Sequence, residues 1–198
     1  TSNFPNILFE SCSGGGGRFD GGMLYYMPQT WTSDDTDAIE RLMIQEGTSL
    51  VYPTSSMGSH VSAVPNHQVH RSTPLNTRGV VAMAGSFGYE LDVTKMNEEE
   101  KEEVKKQVEF YKNIRSTVQF GDLYRLKSSF DSNEAAWMNL SKDGKEVVVS
   151  YVKKYSEANV IPRRLKVKAL DENSLYEVIE TGEVFGGDEL MYIGLEIG

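Results

Sequence analysis

The chain has 198 residues and a net charge of −9, with 39% hydrophobic and 25% charged residues. These values fit one large globular domain or two small ones, with enough apolar material for a sizeable core. The negative charge argues against nucleic acid and membrane surfaces as partners, because both are negatively charged. It leaves neutral ligands such as sugars open.

Cysteine content and hydropathy narrow the class further. The single cysteine, Cys12, cannot form an internal disulfide, which fits a cytoplasmic protein. No apolar run approaches the roughly 20 residues that cross a bilayer, and the N-terminus lacks the pattern of a signal peptide. The sequence has no initiator Met and reaches an apolar run at 7–9 almost at once. We therefore expect a segment that starts inside the fold of a longer polypeptide.

The first half, up to about Gly88, alternates short apolar runs with polar loops or helices. The apolar runs that predict strands lie at 6–10, 23–27, 49–52 and 89–93. One predicted helix has Asp35 as its N-cap and ends at Gly47, and a second covers about 76–84. Strands that alternate with helices predict a parallel sheet.

A long charged helix separates the two halves. Asn97 is a good N-cap, and Glu100, three residues later, completes a capping-box pattern. The apolar stripe of this helix repeats at helical spacing: Val104, Val108, Tyr111 and Ile114. The remaining Glu and Lys residues indicate a solvated face.

The second half, from about Phe120, alternates apolar and charged positions and predicts an all-β domain. Asp143-Gly144 is typical of a hairpin turn between two strands. The predicted strands lie at 122–127, 135–140, 146–152, 164–169, 175–179 and 191–196. Strands of this number and length favour a small antiparallel sandwich. We therefore expect two domains, at 1–118 and 119–198.

A cluster of carboxylates beside an indole is the first candidate for chemistry. It runs from Trp31 through Asp34 and Asp35 to Asp37, just after an apolar segment. The carboxyl ends of strands carry the catalytic groups of (β/α) barrels, and aromatic rings beside carboxylates suit the apolar faces and hydroxyls of sugars. The alternative is a helix N-cap with acidic residues in the first turn.

Four consecutive glycines, Gly14 to Gly17, form the second candidate. Their backbone N–H groups are open to a ligand. The spacing matches neither a phosphate-binding loop nor a dinucleotide fingerprint. A flexible surface loop is the alternative.

Cys12 and three histidines, His60, His67 and His70, complete the candidates. Cys12 could act as a nucleophile with one of these histidines as its base. The histidines lack the spacing of a metal site, and loop histidines are the preferred interpretation. The sequence therefore predicts neither a metal nor another cofactor.

Taken together, these stretches resemble the large bacterial α-galactosidases of glycoside hydrolase family thirty-six, the melibiases. The resemblance rests on Leu8 to Asp20, on Tyr25 to Ala38, and on three shorter stretches at 55–61, 65–68 and 87–92. It covers roughly the first 130 residues closely, and the β-rich remainder matches mainly by its position.

The resemblance implies a retaining enzyme that removes terminal α-galactosyl groups from oligosaccharides such as melibiose and raffinose. It implies the second half of a (β/α)8 barrel, strands five to eight, followed by a C-terminal β-sandwich. On the family pattern Asp34 is the catalytic acid/base. Trp31, with Cys12, Gly14 and Gly15 after the fifth strand, is expected to bind the galactosyl group. The family resemblance also implies a homotetramer.

One departure from the family affects catalysis. The nucleophilic aspartate of these enzymes lies in a stretch like Lys-Trp-Asp after the fourth strand, and this sequence contains no such stretch. We therefore expect the isolated chain to be inactive. Two alternatives remain open: a galactoside-binding or interaction module without catalysis, and specificity for α-N-acetylgalactosaminides.

Overall fold

A computed structural model of the chain describes residues 2–17, 19–158 and 162–197. The chain divides into two units, one that ends at Phe120 and one that begins at Gly121. In the described ranges, no helix combines the length and the apolar character needed to cross a membrane.

The first unit is built on a four-stranded parallel sheet whose strands lie in chain order. The strands are β1 (Glu10–Ser11), β2 (Gln29–Trp31), β3 (Met57–Ser62) and β4 (Ser86–Glu90). A helix follows each strand: α1 (Gly21–Tyr26), α2 (Ala38–Ser49), α3 (Leu75–Ala82) and α4 (Glu98–Phe120). Short 3₁₀ turns at Thr54–Ser56 and Val93–Lys95 precede β3 and α4. The predicted parallel sheet of alternating strands and helices is confirmed.

Two of the predicted strands are displaced, and a third is wrong. The run at 6–10 forms a strand only from Glu10, and Ile7 and Leu8 are exposed. The run at 23–27 is helical, because the Asp20 side chain accepts a hydrogen bond from the Met23 N–H at 2.8 Å and caps α1. The run at 89–93 overlaps β4 only at its first two residues.

The strand predicted at 49–52 is wrong. Ser49 ends α2, which continues past Gly47, and the apolar Leu50 and Val51 lie exposed in the turn that follows. The strand that follows α2 is the buried β3. A prediction based on hydrophobicity misses it because Gly58, Ser59 and Ser62 are small or polar.

The helix caps are partly as predicted. The N-cap of α2 is Asp37 and not Asp35, because the Asp37 carboxylate accepts hydrogen bonds from two first-turn N–H groups. The predicted capping box of α4 is confirmed: Asn97 Oδ1 accepts from the Glu100 N–H at 2.8 Å, and Glu100 Oε2 accepts from the Asn97 N–H at 3.0 Å. Along its stripe, Tyr111 and Ile114 are buried.

In the residues that the structure describes, the second unit contains three antiparallel sheets. β5 (Asp122–Lys127), β6 (Glu134–Leu140) and β7 (Val147–Lys153) form the largest. The two smaller sheets pair β8 (Arg163–Leu165) with β11 (Leu195–Ile197) and β9 (Leu175–Val178) with β10 (Glu183–Gly186). The hairpin at Asp143-Gly144 is confirmed, with Gly144 at φ +73°.

One core joins these sheets. Its buried members are Met138, Leu140, Val167, Leu170 and Leu190, and side chains from every sheet pack against them. The strand predicted at 191–196 is partly wrong, because α5 (Gly187–Tyr192) carries Leu190 into this core before β11 begins. The strand predicted at 164–169 is only partly confirmed, because β8 ends at Leu165.

Candidate active site

The candidate residues converge at the carboxyl edge of the parallel sheet. β1 and β2 pair in parallel, with Ser11 opposite Thr30. Because parallel strands end at the same edge, the segments that follow β1 and β2 lie side by side. The glycine loop that follows Cys12 therefore lies against the backbone of Trp31 to Asp34. Cys12 is exposed there.

The glycine loop packs directly on the backbone that carries Asp34. A Cβ on Gly15 would lie 2.6 Å from the Asp34 nitrogen and 2.8 Å from Ser33 Cα, at a backbone φ of +71°. A Cβ on Gly16 would meet the carbonyl oxygen of Thr32 at 3.2 Å. Gly14, at φ +58°, has open space around its Cα. Arg18, part of the same sequence stretch, lies outside the described residues.

Of the three carboxylates of Asp34, Asp35 and Asp37, the last two accept hydrogen bonds from backbone N–H groups. Asp37 is 2% exposed, accepts hydrogen bonds from Ile39 N and Glu40 N at 3.0 and 3.1 Å, and forms an ion pair with Arg71. Asp35 Oδ1 accepts from the Asp37 N–H at 3.0 Å. The helix-capping alternative therefore describes Asp37 directly and Asp35 indirectly.

Asp34 differs from both neighbours. Its side chain is exposed, and within the ranges that the structure describes its carboxylate accepts no hydrogen bond from the protein. The Asp35 carboxylate accepts its hydrogen bond from the Asp37 N–H. Asp34 is thus a carboxylate at the carboxyl end of β2 that is left available to a ligand.

The backbone around Asp34 is held from the β3 side. Ser62 Oγ donates to the Thr36 carbonyl at 2.8 Å, and Asn66 Nδ2 donates to Thr36 Oγ1 at 3.0 Å. Gln68 Oε1 accepts from the Thr36 N–H at 3.2 Å. The loop over 32–37 is therefore a fixed turn.

Trp31 is almost fully covered, with 9% of its surface exposed. Its ring stacks on His60 at 4.7 Å between centroids and 29° between planes, and the Arg41 guanidinium carbon lies 4.7 Å from the ring centroid. A Cβ on Gly58 would lie 3.1 Å from Trp31 Cε3 and 3.3 Å from Glu10 Oε2, so a side chain here would press on both. Glu10 accepts a hydrogen bond from Gln29.

Burial lowers the pKa of both side chains that contact the Trp31 ring, Arg41 and His60. Burial lowers the pKa of Arg41 to about 10, against the opposing influence of Glu90 and Asp35, so the guanidinium stays cationic at neutral pH. Burial also lowers the pKa of His60, although Glu10 and Glu90 raise it, so this imidazole is neutral at pH 7.

The sequence pattern did not predict a role for Arg41. His60 was a candidate only as a base for Cys12 or as a metal ligand. His60 stacks on Trp31, whereas His67 and His70 are exposed. Across the residues that the structure describes, no cluster of three or more His, Cys, Asp or Glu side chains is placed to hold a metal ion. A signal for Arg41 does exist in its spacing: it shares the inward face of α2 with Gln45, four residues later.

Comparison with known proteins relates both units to α-galactosidases of glycoside hydrolase family 36. The melibiase family model matches residues 1–121, and the model of the glycosyl hydrolase family 36 C-terminal domain matches residues 134–198. The α-galactosidase AgaA of Geobacillus stearothermophilus is 64% identical over 197 residues, which cover 100% of this chain and 27% of AgaA. The α-galactosidase Mel36A of Lactobacillus acidophilus is 58% identical over 193 residues, 98% of this chain and 26% of Mel36A.

Solved structures show the same similarity. The crystal structure of an AgaA variant in complex with raffinose matches with a TM-score of 0.97 and 62% identity, covering 100% of this chain and 27% of that one. The galactosidase domain of the α-galactosidase–sucrose kinase AgaSK matches with a TM-score of 0.97 at 46% identity, again over 27% of its chain. This chain therefore spans about a quarter of the length of the relatives it matches.

Proposed function

Because the chain belongs to the melibiase family, we propose that it is the part of a retaining exo-α-galactosidase that carries the catalytic acid/base, Asp34. The substrates would be terminal α-galactosyl residues of oligosaccharides such as melibiose and raffinose. The observation that carries this proposal is the match of the chain, at a TM-score of 0.97, to AgaA in complex with raffinose.

The architecture supports the assignment of the first unit to half of a (β/α)8 barrel. Its four strands are parallel, lie in chain order and are each followed by a helix, which is the repeating plan of that fold. The candidate residues follow the carboxyl ends of β1 and β2, where barrel enzymes carry their active sites. The second unit would be the C-terminal β-sandwich, in keeping with its antiparallel sheets and the family model that matches it.

The proposed mechanism gives Asp34 two roles. In a retaining glycosidase one carboxylic acid protonates the departing glycosidic oxygen while a second carboxylate, about 5–5.5 Å away, attacks the anomeric carbon. The first carboxylate then removes a proton from the water that releases the sugar. An exposed carboxylate on a fixed turn suits this exchange, because it can reach the leaving oxygen and the water in turn.

The nucleophile is assigned to the rest of the polypeptide, since this sequence has no Lys-Trp-Asp stretch. Cys12, Gly14, Gly15 and Trp31 would line the galactosyl pocket. Cys12 and Gly14 are exposed, Gly15 lets the glycine loop approach the Asp34 backbone closely, and Trp31 keeps 9% of its surface exposed. Galactose is favoured over N-acetylgalactosamine because the relatives with bound oligosaccharides hold raffinose and stachyose.

A hybrid enzyme tests the proposal. In the hybrid, this chain replaces the matching 27% of AgaA, and raffinose hydrolysis is followed by proton NMR of the released galactose. We expect hydrolysis that releases the α-anomer first, because two displacements retain the configuration. The isolated chain, as the matched control, should show no turnover. A folded hybrid without activity, release of the β-anomer first, or robust turnover by the isolated chain would contradict the proposal.

A further inference from the structure

We propose that Arg41 is a positioning residue for the Asp34 acid/base. It would act by fixing Trp31 and the peptide bond that joins Ser33 to Asp34. The inference rests on the proposed function, because it assigns a task within the same site.

Arg41 lies on α2, one turn beyond the Asp37 cap, and is 2% exposed. Its Nη2 donates to the Gly58 carbonyl at 2.7 Å, and its Nη1 donates to the Ser33 carbonyl at 3.3 Å. The guanidinium carbon lies 4.7 Å from the centroid of the Trp31 ring. One planar group therefore contacts the end of β2, the turn that carries Asp34, and the neighbouring strand β3.

Arg41 is a buried cation, so the groups around it determine what its burial costs. Its hydrogen-bond acceptors are neutral: two backbone carbonyls and the side-chain oxygen of Gln45, which accepts from Nε at 3.1 Å. Within the described part of the chain it forms no ion pair. A buried charge without a carboxylate partner costs stability, and an apolar side chain of similar volume often serves a fold equally well or better. The burial of Arg41 therefore does not by itself assign it a role, and its specific contacts must do so.

The contacts of Arg41 define what it would do. The Ser33 carbonyl that accepts from Arg41 belongs to the same peptide unit as the Asp34 nitrogen. Gly15 lies against that nitrogen, close enough that a Cβ would be 2.6 Å away. The peptide is thus held at its oxygen by Arg41 and packed at its nitrogen by the glycine loop. Such clamping limits the positions from which the Asp34 carboxyl can deliver a proton, and small displacements of catalytic groups cost large factors in rate.

A second buried arginine provides a matched control. Arg78 on α3 is 5% exposed and also donates to backbone carbonyls, those of Thr73 and Ser62. Burial lowers its pKa as well. None of these contacts involves Trp31 or Ser33, so replacing Arg78 reproduces the loss of a buried arginine without touching the peptide before Asp34.

The test compares two substrates in the AgaA hybrid. Arg41→Met, Arg41→Lys and Arg78→Met are assayed on raffinose, whose leaving group needs protonation, and on an aryl α-galactoside with an acidic phenol, which needs little. We expect Arg41→Met to lower kcat/KM about 100-fold on raffinose and about tenfold or less on the aryl substrate. Arg41→Lys should show the same asymmetry at a smaller size, because lysine keeps the charge but loses the planar fork. Arg78→Met should lower both rates by one common factor.

Equal losses on the two substrates in Arg41→Met would overturn the inference and leave Arg41 a purely structural role. If Arg41→Met does not fold, Arg41→Lys decides by the same comparison. Asp34→Asn separates the two proposals. If it shows no asymmetry, the proposed function fails. If it shows the asymmetry and both Arg41 variants do not, only the inference about Arg41 fails.

Discussion

At the residue scale, three aspartates within four positions have different tasks. Asp37 caps α2 and pairs with Arg71, and Asp35 accepts a hydrogen bond from the Asp37 N–H. Asp34 keeps its carboxylate exposed. Local pattern alone could not separate capping from catalysis, because an acidic cluster before a helix satisfies both interpretations. The resemblance to the family motif is the reason for proposing Asp34, and the structure gives Asp37 and Asp35 backbone-binding roles of their own.

Gly15→Ala tests whether the glycine loop fixes the Asp34 turn. The added Cβ would lie 2.6 Å from the Asp34 nitrogen, in a residue at φ +71°. We expect the turn to shift and kcat on raffinose in the AgaA hybrid to fall ~10- to 100-fold, since misplaced catalytic groups lose rate steeply.

Gly144→Ala is the matched control for Gly15→Ala. Gly144 has φ +73° and nothing within 4 Å of its built Cβ, so this change adds the same backbone strain in the hairpin between β6 and β7. It should lower stability by about 1–2 kcal/mol and leave kcat unchanged. Unchanged kcat in Gly15→Ala as well would show that the loop does not position Asp34.

At the element scale, the sequence predicts well where local rules act strongly. The capping box of α4 and the Asp143-Gly144 hairpin are confirmed, because each depends on residues close in sequence. Prediction from the sequence fails where tertiary packing determines which residues are buried. The small polar residues of β3 are buried, while Leu50 and Val51 are exposed. Arg41 was missed for the same reason: its spacing to Gln45 indicates the inward face of α2, but only its contacts show what the cation binds.

Glu134 of β6 joins four strands of the second unit and makes its stability dependent on pH. It is 3% exposed and accepts hydrogen bonds from Tyr151 at 2.8 Å and Arg163 at 2.6 Å, and it pairs with Lys127. Burial raises the pKa of Glu134, but the hydrogen bonds from Lys127, Tyr151 and Arg163 outweigh burial and lower the pKa to about 2. Since the pKa is lower in the folded state than the ordinary 4.5, Glu134 stabilises the fold above that pH. This stability is lost as the pH falls toward 2.

Urea unfolding of the wild-type chain and of Glu134→Gln, followed by Trp137 fluorescence in a Trp31→Phe background, measures this contribution. We expect the wild type to be more stable at pH 7, by up to ~3 kcal/mol. The difference should shrink as the pH is lowered from about 5 toward 2. A difference that stays constant from pH 7 to pH 3 would show that Glu134 does not titrate in this range.

At the scale of the whole molecule, the chain joins two units that match two family models. The match to AgaA covers 27% of that relative, so the proposed enzyme would need residues outside the matched segment. This chain would contribute the acid/base, the turn that fixes it and part of the sugar pocket. The nucleophile would come from elsewhere in the polypeptide, and neither carboxylate could complete the reaction alone.

Asp34→Asn in the AgaA hybrid tests the central claim most directly. The measured quantity is kcat/KM, which reports the first displacement, on raffinose and on an aryl α-galactoside with an acidic phenol. If Asp34 is the general acid, kcat/KM on raffinose should fall 10²- to 10⁴-fold, the range for loss of a positioned acid. On the aryl substrate it should fall less than about tenfold, because that leaving group departs without a proton. Equal losses on the two substrates would contradict the assignment of Asp34 as the acid/base.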